Sequence, residues 1–168
     1  EGSYDAAART YTLTLSQSCA PTPGQAEKLP FVIPVQMGLL GQDGRALTLR
    51  LQGEDQAAAG DSRLLVLSEP SHSFVFTDVD QEPVPSLLRG FSAPVVLEHD
   101  YTDAQLLTLL AFDADPFNRW EAGQRLALRR ALAAIRATGP VPAEVLDSAY
   151  LAAMQAVLSH PALDAAFK

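Results

Sequence analysis

The side chains that most often carry chemistry are few in this sequence and lie far apart. His72, His99 and His160 are the three histidines, and they form no His-Glu-x-x-His pair. That zinc-binding pattern needs two histidines one turn apart on one helical face, with a glutamate beside them. Glu98 and His99 lie in a predicted strand, where neighbouring side chains point to opposite faces, so they cannot share a ligand. The histidines are therefore interpreted as surface or loop residues.

An acidic pair, Asp113 and Asp115, superficially matches the start of a calcium-binding loop. The match then fails, because Asn118 stands where the loop glycine belongs and Gln124 where the bidentate glutamate belongs. Asp115 is followed directly by Pro116, which is the usual order of an N-cap and a first helical residue. Asp115 is therefore predicted to cap a helix.

Motifs for nucleophilic catalysis and phosphate binding are also missing from the sequence. Cys19 is the single cysteine, so it cannot form an intramolecular disulfide, and no histidine lies near it in sequence to activate it. No serine stands in a Gly-x-Ser-x-Gly elbow, and no glycine-rich phosphate loop follows a strand. The sequence therefore predicts no catalytic, cofactor-binding or metal-binding residue.

Arg125, Arg129 and Arg136 line one flank of a predicted helix, with Arg130 nearby. This flank fits either a surface for an anion or acidic partner, or a solvated or interdomain face with a Glu121–Arg125 ion pair. The formal net charge of the chain is −8. An acidic chain disfavours nucleic acid and other polyphosphates as partners, so the second interpretation is favoured.

The first hundred residues contain about seven strand candidates, with alternating apolar and polar residues, frequent turns and no strong helical pattern. This pattern indicates an antiparallel β-sandwich of immunoglobulin or fibronectin type. Pro34 interrupts one candidate and predicts an edge position or a bulge there, because proline donates no hydrogen bond. The predicted strands are residues 9–17, 31–40, 46–51, 63–69, 73–77, 86–91 and 94–99.

Helical periodicity replaces the strand pattern from residue 101 onward. Thr102 and Gln105 have the spacing of a capping box, and Leu106, Leu109 and Leu110 form the apolar face of the helix that follows. The domains are accordingly predicted to be residues 1–100, the β-sandwich, and residues 101–168, a helical segment.

A second helix is predicted to begin at Asp115-Pro116 and to end at Thr138-Gly139-Pro140. Leu128, Leu132 and Ile135 are predicted to form its buried stripe, and Trp120 is predicted to anchor a core or a domain interface. A third helix is predicted for residues 142–159, with one side formed by Leu146, Ala149, Ala153 and Val157. The short link predicts an αα-hairpin and the start of a helical superhelix.

Three segments of the sequence resemble the aminopeptidase N family of bacteria, the alanyl aminopeptidase branch of the gluzincin zinc peptidases. They are RTYTLTLSQ at residues 9–17 with PTPGQAEKLP at 21–30, EPVPSLLRGFSAPV at 82–95, and DPFNRWEAGQ at 115–124. The order and approximate spacing of these segments match the region that follows the catalytic domain in that family.

The resemblance implies an immunoglobulin-like domain up to about residue 100 and, beyond it, the start of a helical lid. In such an enzyme the immunoglobulin-like domain links the catalytic domain to the helical lid. The enzyme uses zinc to remove N-terminal amino acids from peptides. The Gly-Ala-Met-Glu-Asn motif, the zinc helix, the third zinc ligand and the catalytic tyrosine of the family are absent from this sequence. We therefore expect a non-catalytic fragment, with no cofactor in this chain and zinc in the parent enzyme.

The expected partners are the missing catalytic and helical domains of the same polypeptide, while peptide substrates bind the parent only. Nucleic acid and membranes are not expected: the longest apolar-rich run, residues 104–112, is far shorter than the ~20 residues of a spanning helix. A lone cysteine and an acidic, polar start predict a cytoplasmic protein, and both ends are interpreted as cut. The alternative hypothesis is a stand-alone immunoglobulin-like and helical protein-interaction module.

Overall fold

The computed structural model describes residues 1–136, 147–161, 163–165 and 168 of the chain. These residues divide by their contacts into two units. The β unit comprises Glu1–Gly41 and Ala46–Asp100, and the helical unit comprises Gln42–Arg45 and Tyr101–Lys168. The short turn Gln42–Arg45 therefore groups with the helices, although strand residues flank it in sequence.

The β unit contains two antiparallel sheets, as the strand pattern predicted. Their strands are β1 (Gly2–Asp5), β2 (Thr10–Ser16), β3 (Ile33–Leu40), β4 (Arg50–Leu51), β5 (Arg63–Leu67), β6 (Ser71–Thr77) and β7 (Val84–Ser86). One sheet has the order β1-β2-β6-β4 and the other β5-β3-β7. Strands distant in sequence pair within each sheet; for example, Tyr11 of β2 lies opposite Phe76 of β6.

The core of the β unit lies between the two sheets. Alternation along β2 buries Tyr11 and Leu13, and alternation along β3 buries Val35, Met37 and Leu39. Each such side chain stabilises the fold by roughly 1.5–3 kcal/mol when it is fully buried. The remaining core residues come from later strands and the segments between them, namely Leu47, Leu49, Leu65, Phe76, Val79 and Leu87.

Several predicted strands of the β unit differ from those observed. Within residues 46–51 only Arg50–Leu51 forms a strand, although Leu47 and Leu49 are buried as their alternation predicted. The first strand, Gly2–Asp5, lies in the acidic, polar start of the chain, before the first of the predicted strands. It pairs with Thr10–Ser16 as a hairpin, but it is largely exposed and lacks the alternating apolar residues that mark a half-buried strand.

The predicted strand at residues 86–91 is wrong beyond Ser86. Residues Arg89–Phe91 are instead assigned to a 3-10 turn, and Leu88, Gly90 and Phe91 have left-handed backbone with φ of 55°, 62° and 53°. Such dihedrals cannot continue an extended strand. The predicted strand at residues 94–99 is also wrong, since those residues form no ladder.

Pro34 lies in β3, which is the central strand of its sheet order. At Pro34, however, only β5 pairs with β3, because β7 pairs only with Gly38–Leu40. On the other side of β3, the backbone N–H of Gln36 donates to Ser92 Oγ at 2.9 Å. Pro34 therefore occupies a local edge of the sheet. This agrees with the predicted edge position, which followed from the missing backbone N–H of proline.

The helical unit contains α1 (Asp103–Phe112), α2 (Pro116–Arg136) and α3 (Ser148–Ser159). The predicted capping box is present: Gln105 N–H donates to Thr102 Oγ1 at 3.2 Å, and Thr102 N–H donates to Gln105 Oε1 at 2.9 Å. The three apolar residues predicted to form the face of α1, Leu106, Leu109 and Leu110, are buried.

Helix α1 packs against both α2 and α3, and α3 packs mainly against α1. The predicted αα-hairpin of α2 and α3 depends on their link, which lies outside the described residues, as do the predicted helix end at 138–140, the predicted start at 142 and Leu146. In α3 the buried residues are Tyr150, Ala153 and Val157. Ala149, predicted on that side, is exposed, because the larger Tyr150 occupies the interface.

The predicted buried stripe of α2 is wrong. Leu128, Leu132 and Ile135 are 60%, 37% and 77% exposed. The buried side of α2 instead contains Arg119, Ala122, Gly123 and Leu126. A Cβ added to Gly123 would lie 3.3 Å from Leu110 Cδ1, so the small residues are what allow α1 to approach closely.

Candidate functional site

The histidines are dispersed in the structure. His72 lies in β6, 3.9 Å from a carboxylate oxygen of Glu69 and with its ring centroid 4.5 Å from that of Phe74. His160 is the C-cap residue of α3. Within the part of the chain that the structure describes, no three His, Cys, Asp or Glu side chains group closely enough to hold a metal ion. The residues present therefore do not fit the zinc that the resemblance implies for the parent.

The acidic pair at the connection between α1 and α2 is a structural joint. Asp113 is fully buried, and its Oδ1 accepts the N–H of Asp115 at 3.0 Å. Asp115 Oδ1 in turn accepts the N–H of Asn118 at 2.9 Å, which is the helix cap that the Asp-Pro order predicted. These carboxylate oxygens fix the backbone at the start of α2.

Arg119 completes this joint, and sequence reasoning missed it. Its side chain is buried, and its Nε donates to the backbone carbonyl of Asp113. Burial lowers the pKa of the Arg119 guanidinium, while the carboxylate of Asp113 opposes that shift. The sequence feature that could have predicted this burial was the position of Arg119. It lies one turn after Asp115, on the same side as the small Ala122 and Gly123 that face α1.

The arginine flank of α2 is engaged within the helical unit. Arg129 Nη1 donates to the carbonyl of Tyr101 and to Asp103 Oδ1, both at 2.9 Å. Arg130 binds Asp147, with Nε at 2.6 Å from Oδ2, and also reaches Asp103 Oδ2 at 3.5 Å. These bonds join α2 to the starts of α1 and α3, and they give the flank an internal structural role.

Aromatic rings support the same network. Arg125 lies over the ring of Tyr101 at 5.4 Å, and Arg130 lies over the ring of Tyr150 at 5.5 Å. Asp147 caps α3 by accepting the N–H of Tyr150 at 2.8 Å. That backbone hydrogen bond, followed by the one from Arg130, lowers the pKa of the Asp147 carboxyl.

A second buried arginine, Arg89, lies in the β unit and was also missed. Its Nε donates to Ser86 Oγ at 2.8 Å, and its Nη1 donates to the carbonyl of Asp61 at 2.7 Å and to Ser62 Oγ at 2.9 Å. A Cβ on Gly38 would collide with the guanidinium. Arg89 thus fastens the segment before β5 to β3 and β7. The sequence feature that could have revealed Arg89 was its position as a charged residue within an apolar predicted strand, residues 86–91.

Two groups of exposed apolar side chains lie along one face of a helix or a sheet, while others, such as Leu29 and Val96, lie in loops. The outer stripe of α2 consists of Phe117, Trp120, Leu128, Leu132 and Ile135, all exposed on the side opposite to Leu126. The rings of Phe117 and Trp120 are 5.6 Å apart. Trp120 is half exposed, so it is not a core residue.

The β patch, the second surface, consists of Val32, Leu64 and Val66. In β5 the alternate residues Leu65 and Leu67 are buried, so Leu64 and Val66 lie on the outer face of their sheet. Contiguous apolar surface of this kind typically marks a contact with another protein surface. These two surfaces, and not a cluster of reactive groups, are the candidate functional sites.

Comparison with known families gives the class of the protein first. Residues 1–100 match a family model described as "Domain of unknown function (DUF3458) Ig-like fold". Residues 103–168 match a model described as "Domain of unknown function (DUF3458_C) ARM repeats". The predicted fold class, an immunoglobulin-like sandwich followed by the start of a helical array, is thereby confirmed. The chain belongs to the DUF3458 family, whose model covers more than half of it.

Relatives of the chain are bacterial aminopeptidases, which confirms the predicted resemblance. Aminopeptidase N of Escherichia coli is 38% identical over 123 residues, covering 73% of this chain and 14% of the relative. The Haemophilus influenzae protein of that name is 41% identical over the same coverage. Aminopeptidase N of Caulobacter vibrioides is 42% identical over 168 residues, 100% of this chain and 18% of the relative.

A solved structure shares the fold of the chain. The crystal structure of Legionella pneumophila aminopeptidase A in complex with aspartic acid has a TM-score of 0.73 and 25% identity, covering 97% of this chain and 16% of that one. The chain thus spans less than a fifth of the length of its relatives. Among the described residues, no helix is long and apolar enough to cross a membrane.

Proposed function

We propose that this chain is a non-catalytic section of a cytoplasmic zinc aminopeptidase that removes N-terminal amino acids from peptides. The section links the catalytic domain to the helical lid domain of the same polypeptide. The observation that carries this proposal is that an Aminopeptidase N matches the whole chain at 42% identity, while the chain spans 18% of that relative.

The chemistry of the described side chains supports a structural role. The buried and partly buried polar side chains fix the backbone or join secondary-structure elements; they are Asp113, Arg119, Arg89 and Arg130. Zinc in the parent enzyme supplies a Lewis acid and an activated water for hydrolysis of the peptide bond. In this proposal the ligands for that zinc lie in the catalytic domain.

The two exposed apolar surfaces support the linking role. Burial of exposed apolar side chains by another surface is energetically favourable. Such side chains are Leu64 and Val66 in the β unit and Leu128 and Ile135 in the helical unit. We propose that other domains of the same polypeptide cover these surfaces, because a covalent link gives those domains a high effective concentration at the surfaces.

The first experiment compares the isolated chain with the full polypeptide. The full polypeptide is expected to hydrolyse an alanyl anilide and to bind zinc stoichiometrically, whereas the isolated chain does neither. Turnover by the isolated chain that survives repurification and follows the protein peak would contradict the proposal. A native mass of 18.0 kDa, that of this chain alone, would favour the stand-alone interaction module instead.

The second experiment tests the linking role. Truncation of the parent immediately after the catalytic domain removes this section and everything beyond it. We expect an unstable or weakly active enzyme, measured by anilide hydrolysis and by thermal unfolding. Full activity and stability of the truncated enzyme would remove the linking role while leaving the family assignment intact.

A further inference from the structure

The outer stripe of α2 extends along most of a helix that is already packed on its other side. Phe117 and Ile135 are 18 positions apart, which is about 27 Å along an α-helix. At 3.6 residues per turn, Trp120, Leu128 and Leu132 fall on the same side as these two, with the polar Glu121 and Gln124 between Trp120 and Leu128. A surface helix normally has one apolar stripe and one polar face, so a second apolar stripe is unexplained by packing on α1.

The flanks of the outer stripe have the composition of a helix-packing surface. On one side the small residues Ala127, Ala131 and Ala134 permit another backbone to approach closely. On the other side Arg125 and Arg129 remain engaged with Tyr101. Alternating large and small apolar residues form the ridges and grooves into which another helix packs.

The occupant of this surface follows from the helical family match. Residues 103–168 match ARM repeats, and in such arrays each repeat packs against its neighbour along a continuous apolar core. Helix α3 is not the occupant within the described residues, because it packs mainly against α1. The polypeptide of the relatives is long enough to supply further repeats, since this chain spans 18% or less of them.

We infer that the outer stripe of α2 is the docking surface for an amphipathic helix of a further helical repeat of the same polypeptide. This inference rests on the part of the proposed function that makes the chain a section of a longer polypeptide with further helical repeats. Trp120 then lies between two helical repeats, which differs from the predicted anchor of a core or a domain interface.

The test places the same substitution on and off the stripe, in two contexts. Leu128→Asp introduces a carboxylate on the outer stripe, and Ala133→Asp introduces one at an exposed position on another side of α2. Both variants are made in the full polypeptide and in the isolated chain, and their thermal unfolding is measured by circular dichroism. Because Leu and Ala are both strong helix formers and both become Asp, the comparison largely cancels the effect of helix propensity.

In the full polypeptide, Leu128→Asp is expected to lower the melting temperature by several degrees relative to Ala133→Asp. In the isolated chain the two variants should melt together, since Leu128 is exposed there. Equal melting of the two variants in the full polypeptide would overturn the inference. Dissociation of a dimer of the isolated chain by Leu128→Asp, without an effect in the full polypeptide, would also overturn it and assign the stripe to a second copy.

A footprinting measurement separates this inference from the proposed function. Hydroxyl-radical oxidation of Trp120 should be several-fold slower in the full polypeptide than in the isolated chain, and Leu128→Asp should restore it. Unchanged oxidation in a polypeptide that hydrolyses the anilide would refute the docking surface alone. Absence of hydrolysis, with Trp120 still protected, would refute the proposed function alone.

Discussion

The β unit buries the apolar residues of its alternating pattern, whereas the helical unit leaves its largest apolar side chains in solvent. In the β unit, two sheets supply both walls of one core, and Leu13, Met37 and Phe76 are fully buried within it. In the helical unit, α1 covers one side of α2, and Leu128 and Ile135 lie on the other. Among the described residues, therefore, the core of the β unit is enclosed on both sides, whereas only one side of α2 is covered.

Charge is placed differently in the two units as well. In the β unit, Arg89 fastens one segment through neutral oxygens and hydroxyls, with Asp61 Oδ1 at 3.9 Å. In the helical unit, Arg119 donates to the backbone carbonyl of Asp113 at the end of α1, and Arg130 binds the carboxylate of Asp147, which caps α3. In the helical unit the two arginines therefore hold the ends of helices, and removal of the buried Arg119 should destabilise that unit most.

Arg119→Met is expected to have the largest effect. Removing the guanidinium leaves Asp113 buried without it, and breaking a buried pair by removing one partner costs about 3–5 kcal/mol. Chemical unfolding followed by helical circular dichroism measures the change. The control is the double variant Asp113→Asn with Arg119→Met, which removes both charges and should recover part of the loss. A single variant as stable as the parent would show that the joint contributes nothing.

A matched pair of leucine truncations tests the closed core against the open surface. Leu13→Ala removes a fully buried side chain of the β unit and should lower the free energy of unfolding by about 2–5 kcal/mol. Leu128→Ala should change it by about 0.5 kcal/mol or less in the isolated chain, because the side chain is exposed. Denaturant titration measures the free energy of unfolding of both variants. Equal decreases would mean that Leu128 is packed as closely as Leu13.

Prediction from sequence succeeded where one local pattern has one structural outcome. Alternation at Tyr11 and Leu13 identified a strand and its buried face, and Thr102 with Gln105 identified a capping box. It failed at α2, because two apolar stripes share that helix and only the neighbour decides which is covered. The pattern favours the stripe with larger side chains, such as Leu128, whereas α1 packs against Gly123.

The joints were missed for a related reason. Arg119 and Arg89 are charged residues, which are rarely buried unless paired, and their partners are backbone carbonyls and hydroxyls that a sequence pattern does not mark. The turn at Leu88–Phe91 is also set by tertiary structure, since non-glycine residues seldom adopt positive φ without support. Asp115 was predictable because its capping role is local in sequence.

Two glycines with similar backbone provide a finer test of packing in each unit. Gly44 of the helical unit and Gly53 of the β unit have φ of 81° and 87°. A Cβ at Gly44 would collide with the ring of Phe112, whereas nothing lies within 4 Å of the Cβ position at Gly53. Gly53→Ala should therefore cost about 1–2 kcal/mol from backbone strain alone.

Gly44→Ala carries the same strain and must also displace Phe112. We expect an additional loss of about 1–3 kcal/mol, the usual cost of overpacking. Thermal unfolding of the two variants measures the difference, and Phe112→Ala combined with Gly44→Ala should remove the added part. If the two single variants lose the same stability, the turn Gln42–Arg45 is not packed as a part of the helical unit.

The smallest expected effect is that of acidification. It acts on a different carboxyl group in each unit, so the two units can be compared. Asp147 has a folded-state pKa below its ordinary value of 3.8, because the N–H of Tyr150 and the guanidinium of Arg130 favour the carboxylate. Its contribution is therefore fully present above that value and is lost as the pH falls through the lowered pKa. Protonation should loosen α3, which hydrogen exchange of Ser148–Ser159 reports after correction for intrinsic rates.

Glu54 of the β unit provides the internal comparison for this titration. Its pKa is also lowered, first by the hydrogen bond from Arg63, so the segment around it should lose protection over a low-pH range of its own. Asp147→Asn should abolish the pH dependence at α3 and leave that at Glu54 unchanged. If α3 loses protection equally in the variant, the acid response does not arise from its cap, and the ion pairs of the helical unit matter less than its apolar contact with α1.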